Sequence, residues 1–394
     1  MASTYSLSGY GRMIADAGRI KAYLQALRQS IVPGAVVLDI GTGTGIMAML
    51  ACQCGAARVY AVDPSDLVDV GRELSALNGY ADRIHFIQAL STDIALPEPV
   101  EVIVSDLRGS IPLFQRHIPT IVDARRRFLA PGGRQIPRAD TLWAAVVESP
   151  EQYQKLTAGW QEDVFGLDFR PGRALIAHEI YAASSSPLTL LAAPSCWAKL
   201  DYAAIKNPDV QGTITCEVER RGTGHGLLLW FDTMLAPGVA FSNAPGEDHV
   251  YGRNLFIWPE SVDLAPGDQV TVNLAADLVG DDYTWRWDTR ILDQGQPGRL
   301  KANFHQSTFY AALASPANLR PRAPAHVPVL SQDGRIDQFV LNLMDGNNSL
   351  GDIARRVAAA FPARFAGENE ALARVGELSL KYGRPLDNKY LKDA

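Results

Sequence analysis

The sequence predicts an α/β protein with a parallel α/β domain, then an antiparallel β-sandwich or β-barrel, and a small C-terminal helical or winged-helix module. Up to about residue 150, apolar runs of strand length alternate with helical patterns, which is typical of a parallel sheet. Short β-rich runs separated by Pro-Gly turns fill residues 190–295. A proline-rich stretch at 315–330 is typical of a linker, and residues 335–382 then carry helical patterns.

Length and composition exclude several classes of protein. A chain of 394 residues with 47% hydrophobic and 20% charged residues is long enough for two or three domains and too apolar to be disordered. The formal net charge of −6 argues against a protein that binds nucleic acid by neutralising phosphates. Residues 1–10 lack the features of a secretory signal and no apolar stretch reaches membrane-spanning length, so we expect a cytoplasmic protein without a membrane or nucleic-acid partner. The four cysteines lack zinc spacing, which predicts free thiols and no metal site.

Hydrophobic periodicity places the individual elements. Apolar residues from Met13 to Leu24 recur near helical spacing and predict one helix over 10–30. The strands predicted for the first domain are 36–40, 58–62, 84–88, 101–105 and 140–148, and its later helices are 45–53, 66–78 and 116–129, the last ending at Pro131-Gly132-Gly133. The strands predicted for the second region are 188–192, 212–219, 226–235, 253–259, 268–278 and 283–291.

A glycine-rich turn joins the first strand to the next helix in residues 36–46, VVLDIGTGTGI. Such a turn lets a ligand approach bare backbone N–H groups at a helix N-terminus. Asp39 lies at the end of the first strand, where it can hold a cationic amine, and Asp63 follows the second strand, where a carboxylate suits ribose hydroxyls. The loop lacks the third glycine of the dinucleotide spacing, which disfavours NAD. The structural alternative is a tight turn with a helix-capping acid.

VVLDIGTGTGI together with VYAVDPSD resembles the cofactor motifs of class I S-adenosylmethionine (SAM) methyltransferases. More narrowly, the spacing of Met13, Asp16 and Arg19 resembles the helix that covers the cofactor in the protein arginine methyltransferases. The further segments that resemble this family are ALNGYADRIHFIQ, IALPEPVEVIVSDLRG, FLAPGGRQIPRADTLWAA, WQEDVFGLD, Gly267-Asp268 and TWRWD. The resemblance covers about residues 10–295 and implies a Rossmann-like methyltransferase domain, a β-barrel with a helical dimerisation arm, and a homodimer.

The resemblance and the composition together imply the domain bounds. These are a cofactor-capping helix at 1–30, a SAM-binding domain at 31–148, a β-barrel domain at 149–300 with its arm at 158–188, a linker at 301–327, and a module at 328–394. The last segment loosely resembles winged-helix modules that hold peptide substrates on a sheet edge. A plain helical bundle is the alternative.

The resemblance implies S-adenosyl-L-methionine as the cofactor and assigns its contacts. Arg19 is expected to pair with the cofactor's carboxylate, the alternative being an exposed helix cation. The other implied contacts are Asp39, Gly41 and Gly43 at the methionine end, Asp63 at the ribose, and Ser91 and Thr92 at the adenine. The family usually has a glutamate at the position of Thr92.

The acceptor loop departs from the family, which clamps the substrate guanidinium with two glutamates. Asp106 and Gln115 take their positions here, so one carboxylate is shorter and the other is replaced by a neutral amide. Arg108 stands where the family has methionine. If it faces the acceptor pocket, it repels a guanidinium and attracts a carboxylate or phosphate; otherwise it turns to solvent or pairs with Asp106. Asp106, Gln115 and Arg108 are the catalytic candidates.

Two histidines lie near this region of the sequence. The family's Thr-His-Trp loop is not matched at 250–254, and His249 is interpreted as an ordinary surface residue. His117 is a possible general base, although an ordinary role is the stronger interpretation. The run at 125–127, three arginines, is predicted to be a solvated helix end.

The function predicted from these observations is a SAM-dependent methyltransferase of arginine-methyltransferase architecture. Its acceptor would be an N or O atom on a peptide or a small intermediate of natural product biosynthesis. A true protein arginine N-methyltransferase is one alternative. The other is a cofactor-binding scaffold with weak or lost catalysis, since the acceptor clamp is altered.

Overall fold

The computed structural model describes residues 6–183, 187–247, 249–296, 298–312, 317 and 320–383. The chain divides into two compact units, residues 1–313 and 314–394, and each is described by itself. No described helix has the length and apolar character needed to cross a membrane.

The first unit begins with two helices where the periodicity predicted one. Helix α1 spans Leu7–Ala15 and α2 spans Ala17–Ser30. The break falls at Asp16, whose side chain accepts a hydrogen bond from the backbone N–H of Arg19 at 2.9 Å and caps α2. Aspartate is favoured at this position because its oxygen satisfies a free N–H of the first turn. The apolar spacing continues across the break and therefore conceals it.

A parallel five-stranded sheet follows, with the order β3-β2-β1-β4-β5. The parallel arrangement is as predicted, but the strand predicted at 140–148 is not part of it, because residues 139–147 pair antiparallel with residues 226–234. Its strands are β1 (Val36–Ile40), β2 (Arg58–Val62), β3 (Ile84–Ile87), β4 (Val100–Ser105) and β5 (Leu129–Ile136). Its helices are α3 (Ile46–Gln53), α4 (Leu67–Leu77) and α5 (His117–Arg127). Strands β1 and β4 are neighbours although they are far apart in sequence, so the loops after them meet at the switch point where α/β sheets bind ligands.

Strand β5 was not predicted, because Pro131-Gly132-Gly133 indicates the end of a helix rather than a strand. The structure places these three residues inside β5, where the pairing register with β4 shifts between Val100 and Val102. A bulge tolerates residues that an ordinary ladder excludes.

Two antiparallel sheets complete the first unit and confirm the predicted β-rich domain. One has the order β7-β13-β11-β6-β8, with β12 beside β11 and β9 beside β6; the other has the order β10-β14-β15-β16. The first contains β6 (Ala139–Glu148), β7 (Tyr181–Ala182), β8 (Thr189–Leu190), β9 (Ser195–Asp201), β11 (Gly222–Ala236), β12 (Val239–Ser242) and β13 (Asn254–Leu264). The second contains β10 (Val210–Glu217), β14 (Gln269–Val279), β15 (Asp282–Leu292) and β16 (Leu300–Ser307). Their inner faces share one core that includes Trp258, Trp287 and Phe256.

Two bounds of this region differ from the prediction. The stretch predicted as a linker from residue 301 contains most of β16 and the short helix α8 (Thr308–Ala311), because alternate residues such as Ala302 and Phe304 are buried against the sheet core. The predicted arm at 158–188 follows α6 (Pro150–Thr157) and contains α7 (Arg170–Ile176); its residues 184–186 lie outside the described residues.

The second unit is helical over its described residues. Helices α9 (Gln332–Leu343), α10 (Leu350–Ala360) and α11 (Glu368–Tyr382) pack around a core that includes Val340, Val357 and Val375. No strand occurs between residues 320 and 383, so a sheet edge that could take up a peptide is not found there. The helical alternative fits this part of the module; residues 384–394 are not described.

Candidate active site

The glycine-rich loop joins β1 to α3 and lies at the switch point of the parallel sheet. Gly41 and Gly43 have φ values of +72° and +52°, a backbone conformation that favours glycine. A Cβ atom on Gly41 would overlap the side chain of Leu107, and one on Gly43 would overlap the ring of Tyr10 in α1. The glycine-rich loop is packed closely between α1 and the loop that follows β4. Glycine is therefore needed at both positions.

Two carboxylates flank this loop. Asp39 is buried, and Thr42 donates a hydrogen bond to it at 2.6 Å. Burial raises the pKa of Asp39 to about 7, since a charge in a dry site loses its hydration. Asp63 accepts hydrogen bonds from the backbone N–H of Gly43 at 3.0 Å and from the backbone and hydroxyl of Ser65. The structure therefore places both acids beside the loop.

The residues at this loop fit a polar ligand. Thr44 Oγ1 and Ser105 Oγ are buried without a hydrogen-bond partner in the described part of the chain. Such atoms are costly unless a ligand or water pairs with them. Together with two carboxylates and a glycine turn, they form a donor and acceptor set that suits an amino acid joined to a nucleoside.

Arg19 and Asp106 form the first half of a buried ion-pair network next to the loop. Arg19 Nε and Nη2 donate to Asp106 Oδ2 at 2.8 and 2.5 Å, and the hydroxyl of Tyr251 donates to the same oxygen at 2.7 Å. Arg19 Nη1 also donates to the carbonyl oxygen of Met13 at 3.1 Å. Only 3% of the Arg19 side chain is exposed, so the alternative of an exposed helix cation is wrong.

Arg108 forms the second half of the network and is fully buried. It donates to Asp106 Oδ1 from Nε and Nη2 at 3.3 Å, to Asp140 at 3.1 Å and to the hydroxyl of Tyr23 at 2.8 Å. It also donates to Thr233 Oγ1. Of the three orientations considered from the sequence, which were facing the acceptor pocket, turning to solvent and pairing with Asp106, the structure shows pairing with Asp106, and exposure to solvent is wrong.

The network decides the charge of Asp106. Burial by itself raises the pKa of this carboxyl, but the positive charges of Arg19 and Arg108 and the hydrogen bond from Tyr251 outweigh burial and lower the pKa to about 2. Asp106 is therefore ionised at neutral pH and is a weak base. It can orient a cation, whereas it cannot readily accept a proton.

The third catalytic candidate, Gln115, makes no hydrogen bond to this network among the described residues. Gln115 has a φ of 45°, and its backbone N–H donates to Asp282 at the start of β15. No hydrogen bond joins its side chain to Asp106 among the residues that the structure describes. The loop after β4 thus brings Asp106 and Arg108 together, and the backbone of Gln115 ties the same loop to the antiparallel domain.

His117 is buried in the structure and cannot act as a general base. Its Nε2 bonds with the hydroxyl of Tyr202 at 3.0 Å, and that hydroxyl donates to Asp140 at 2.5 Å. Burial, reinforced by the charge of Arg108, lowers the pKa of His117 to about 3. The histidine is therefore neutral at pH 7 and supports the network through Tyr202.

His249 is the site residue that sequence reasoning missed. Its Nδ1 lies 3.1 Å from Asp16 Oδ2, and the backbone N–H of Val250 donates to the same oxygen at 3.0 Å. The pair joins the start of α2 to the segment before β13, and it holds the helix that carries Arg19. No local signal could have found it, because the two residues are 233 positions apart.

The predicted adenine contacts lie in a turn after β3. Ser91–Asp93 form one 3₁₀ turn, and Arg127 donates to the carbonyl oxygens of Ser91 and Thr92 at 3.2 and 3.1 Å. Arg125 likewise donates to the carbonyl oxygen of Ile205 at 2.7 Å. The prediction that this arginine run is only a solvated helix end is therefore wrong, since two of its members hold neighbouring segments in place.

Replacement of Arg108 by methionine should destabilise the first unit by about 3–5 kcal/mol, because it leaves the buried Asp140 carboxylate without its cation. Urea denaturation at pH 7 measures the change. The matched control is Arg286→Met, which breaks an exposed ion pair with Asp277 and should cost less than about 1 kcal/mol. Equal losses in the two variants would contradict the burial of Arg108.

Two family models match the chain. The model described as ribosomal protein L11 methyltransferase (PrmA) matches residues 20–136, and the model described as arginine methyltransferase oligomerization subdomain matches residues 138–288. The boundary between them falls between β5 and β6, where the parallel sheet gives way to the antiparallel sheets.

Proteins of similar sequence are named as arginine methyltransferases. The chain is 31% identical over 302 residues to probable protein arginine N-methyltransferase 6.2 of Oryza sativa subsp. indica, which covers 73% of this chain and 74% of that protein. It is 32% identical over 230 residues to probable protein arginine N-methyltransferase 6 of Arabidopsis thaliana, which covers 56% of this chain and 52% of that protein, so the match spans about half of this relative.

A solved structure shares the fold. The Trypanosoma brucei PRMT1 enzyme-prozyme heterotetrameric complex with AdoHcy superposes with a TM-score of 0.68 at 21% sequence identity, over 76% of this chain and 96% of that chain. The sequence relatives and the matching models agree with this fold. The chain therefore belongs to the protein arginine methyltransferase family and is a SAM-dependent methyltransferase.

Proposed function

We propose that the protein transfers a methyl group from SAM to a guanidine nitrogen of arginine in a peptide or protein. The observation that carries this proposal is the burial of Arg108 among Asp106, Asp140 and Tyr23. If the methyl group were transferred to a carboxylate of the substrate, the site would need an unpaired cation to bind that carboxylate. Arg108 is the candidate for this cation, and it is already paired within the protein. The relatives named as arginine N-methyltransferases support the same acceptor.

In this proposal, SAM supplies a methyl group that its sulfonium has already activated. Asp39 holds the cofactor's ammonium group and Asp63 its ribose, with Gly41 and Gly43 allowing close approach of the backbone. Arg19 keeps N–H groups beyond those bonded to Asp106 and Met13, and these pair with the cofactor's carboxylate. Ser91 and Thr92 contact the adenine from the turn after β3.

Asp106 orients the acceptor guanidinium in this mechanism, and it does not remove a proton. Its pKa of about 2 makes it a permanent negative charge near neutral pH. Its longest contacts are the two at 3.3 Å from Arg108, and these yield most easily to an entering guanidinium. Gln115 offers a neutral oxygen as the second contact. The guanidinium nitrogen would bond to the methyl carbon as the methyl–sulfur bond breaks, S-adenosylhomocysteine would leave, and the proton lost from the methylated nitrogen would pass to water.

A cofactor-binding scaffold with weak catalysis is the second candidate. One observation favours it: both oxygens of Asp106 already accept hydrogen bonds from Arg19, Arg108 and Tyr251. A saturated carboxylate binds a further cation less strongly than a free one. The assay below distinguishes the two candidates.

We further propose a homodimer through the arm at 158–188. Phe165 is fully exposed and Leu167 is 60% exposed in the single chain, which leaves apolar surface to be covered. The Trypanosoma brucei protein of similar fold is described as a heterotetrameric complex.

The direct test incubates the full chain with methyl-labelled SAM and an arginine-rich peptide. The wild-type protein should label arginine, and Gln115→Glu should raise kcat/KM for the peptide by about tenfold, because a charged acceptor roughly doubles the strength of a hydrogen bond. Gln53→Glu, a change of the same chemistry at an exposed position on α3, serves as the control and should have no effect. Cofactor binding without labelled arginine in either protein would contradict the proposal and favour the scaffold.

A second test follows the pH dependence of cofactor binding. The raised pKa of Asp39, about 7, means that the free protein holds a proton there at lower pH, and an ammonium group requires the ionised form. The affinity for SAM should therefore fall by up to about tenfold per pH unit below about pH 7, as measured by calorimetry.

The variant Asp39→Asn should bind more weakly and lose this pH dependence. Asp63→Asn is the matched control, because it should bind more weakly and keep the dependence. A pH slope that persists in Asp39→Asn would show that another group holds the ammonium.

A further inference from the structure

A second cleft lies between the parallel sheet and the antiparallel sheets, apart from the residues of the candidate active site. Its volume is about 580 Å³, which is typical of sites for small molecules. Residues of α2, α5 and β5 form one part of its wall, and the turn between β11 and β12 forms another. Its lining residues include Arg125, Arg134, Arg138, Gln135, Leu129 and Pro237.

Among the residues that the structure describes, three arginines line this cleft and no aspartate or glutamate does. Arg125 donates to the carbonyl oxygens of Tyr202 and Ile205, and Arg134 donates to that of Gln29. These partners are neutral, so they leave both charges uncompensated. In a chain with a formal net charge of −6, three guanidinium groups without a counter-ion around one cavity form a local positive potential.

The cleft also holds polar groups that no protein group satisfies. Arg138 has no side-chain hydrogen bond or ion pair within the described ranges, and it is exposed. Both polar atoms of the Gln135 amide are buried without a partner there. Arg125 and Arg134 retain N–H groups beyond those that bond to carbonyl oxygens. The wall therefore offers several free donors together with the apolar surface of Leu129 and Pro237.

We propose that this cleft binds a small molecule that carries an oxyanion, either a phosphate or a carboxylate, on an apolar body. Guanidinium groups bind planar or tetrahedral oxyanions with paired N–H donors, which suits both groups. Leu129 and Pro237 contact the apolar body. The site is independent of methyl transfer, because none of its lining residues belongs to the Asp106 network or the glycine loop.

The test titrates the full chain with phenyl phosphate and separately with phenylacetate, by calorimetry, at constant ionic strength. Saturating S-adenosylhomocysteine is present throughout, so that neither probe is measured at the cofactor site. We expect saturable binding of at least one probe, and the tighter one identifies the oxyanion. Absence of saturable binding by both would overturn the proposal.

Two variants locate the bound probe. Arg138→Gln removes an exposed cation without a protein partner, so it should fold normally and weaken binding by about tenfold, the loss of a charged hydrogen bond. Arg126→Gln is the matched control, because Arg126 is exposed on α5 and does not line the cleft. Equal weakening in both variants would mean nonspecific attraction to surface charge and would also overturn the proposal.

Discussion

The buried guanidinium of Arg108 is the group on which the rest of the site depends. Arg108 follows β4 of the parallel sheet, yet its guanidinium reaches Asp140 on β6 and Thr233 on β11. A buried cation of this kind is stable only with complete pairing, so the two sheets must be held in one relative position. That position also fixes Asp106 beside Arg19, next to the glycine-rich loop, where Gly41 packs against Leu107.

The network changes the chemistry of Asp106 in two ways. Asp106 gives up the ability to accept a proton, because two arginines stabilise its ionised form. It keeps a permanent negative charge at a defined place, which is what an acceptor cation needs for orientation. His117 and Tyr202 extend the network away from the loop, and the neutral His117 supports Asp140 without adding charge. The site is thus built for positioning.

The sequence predicts the parallel sheet and its ligand loop well, because both depend on local patterns. Asp39, the glycines and Asp63 lie next to one another for the simple reason that the carboxyl ends of parallel strands share an edge. The break at Asp16 could not be predicted, since apolar periodicity continues through a helix cap. Strand β5 was missed because its bulge uses residues that ordinarily end a helix. The orientation of Arg108 and the pairing of His249 with Asp16 depend on contacts across the whole first unit, and no periodicity or spacing carries that information.

The central claim is that Arg19 and Arg108 keep Asp106 ionised inside the protein. The most direct measurement is the ¹³C NMR titration of the Asp106 carboxyl carbon, assigned by its loss in Asp106→Asn, from about pH 8 down to about pH 4. The account predicts a constant chemical shift over this range, because the pKa lies at about 2. A titration with a midpoint above about pH 4, at or beyond the ordinary value for aspartate, would contradict the proposed network.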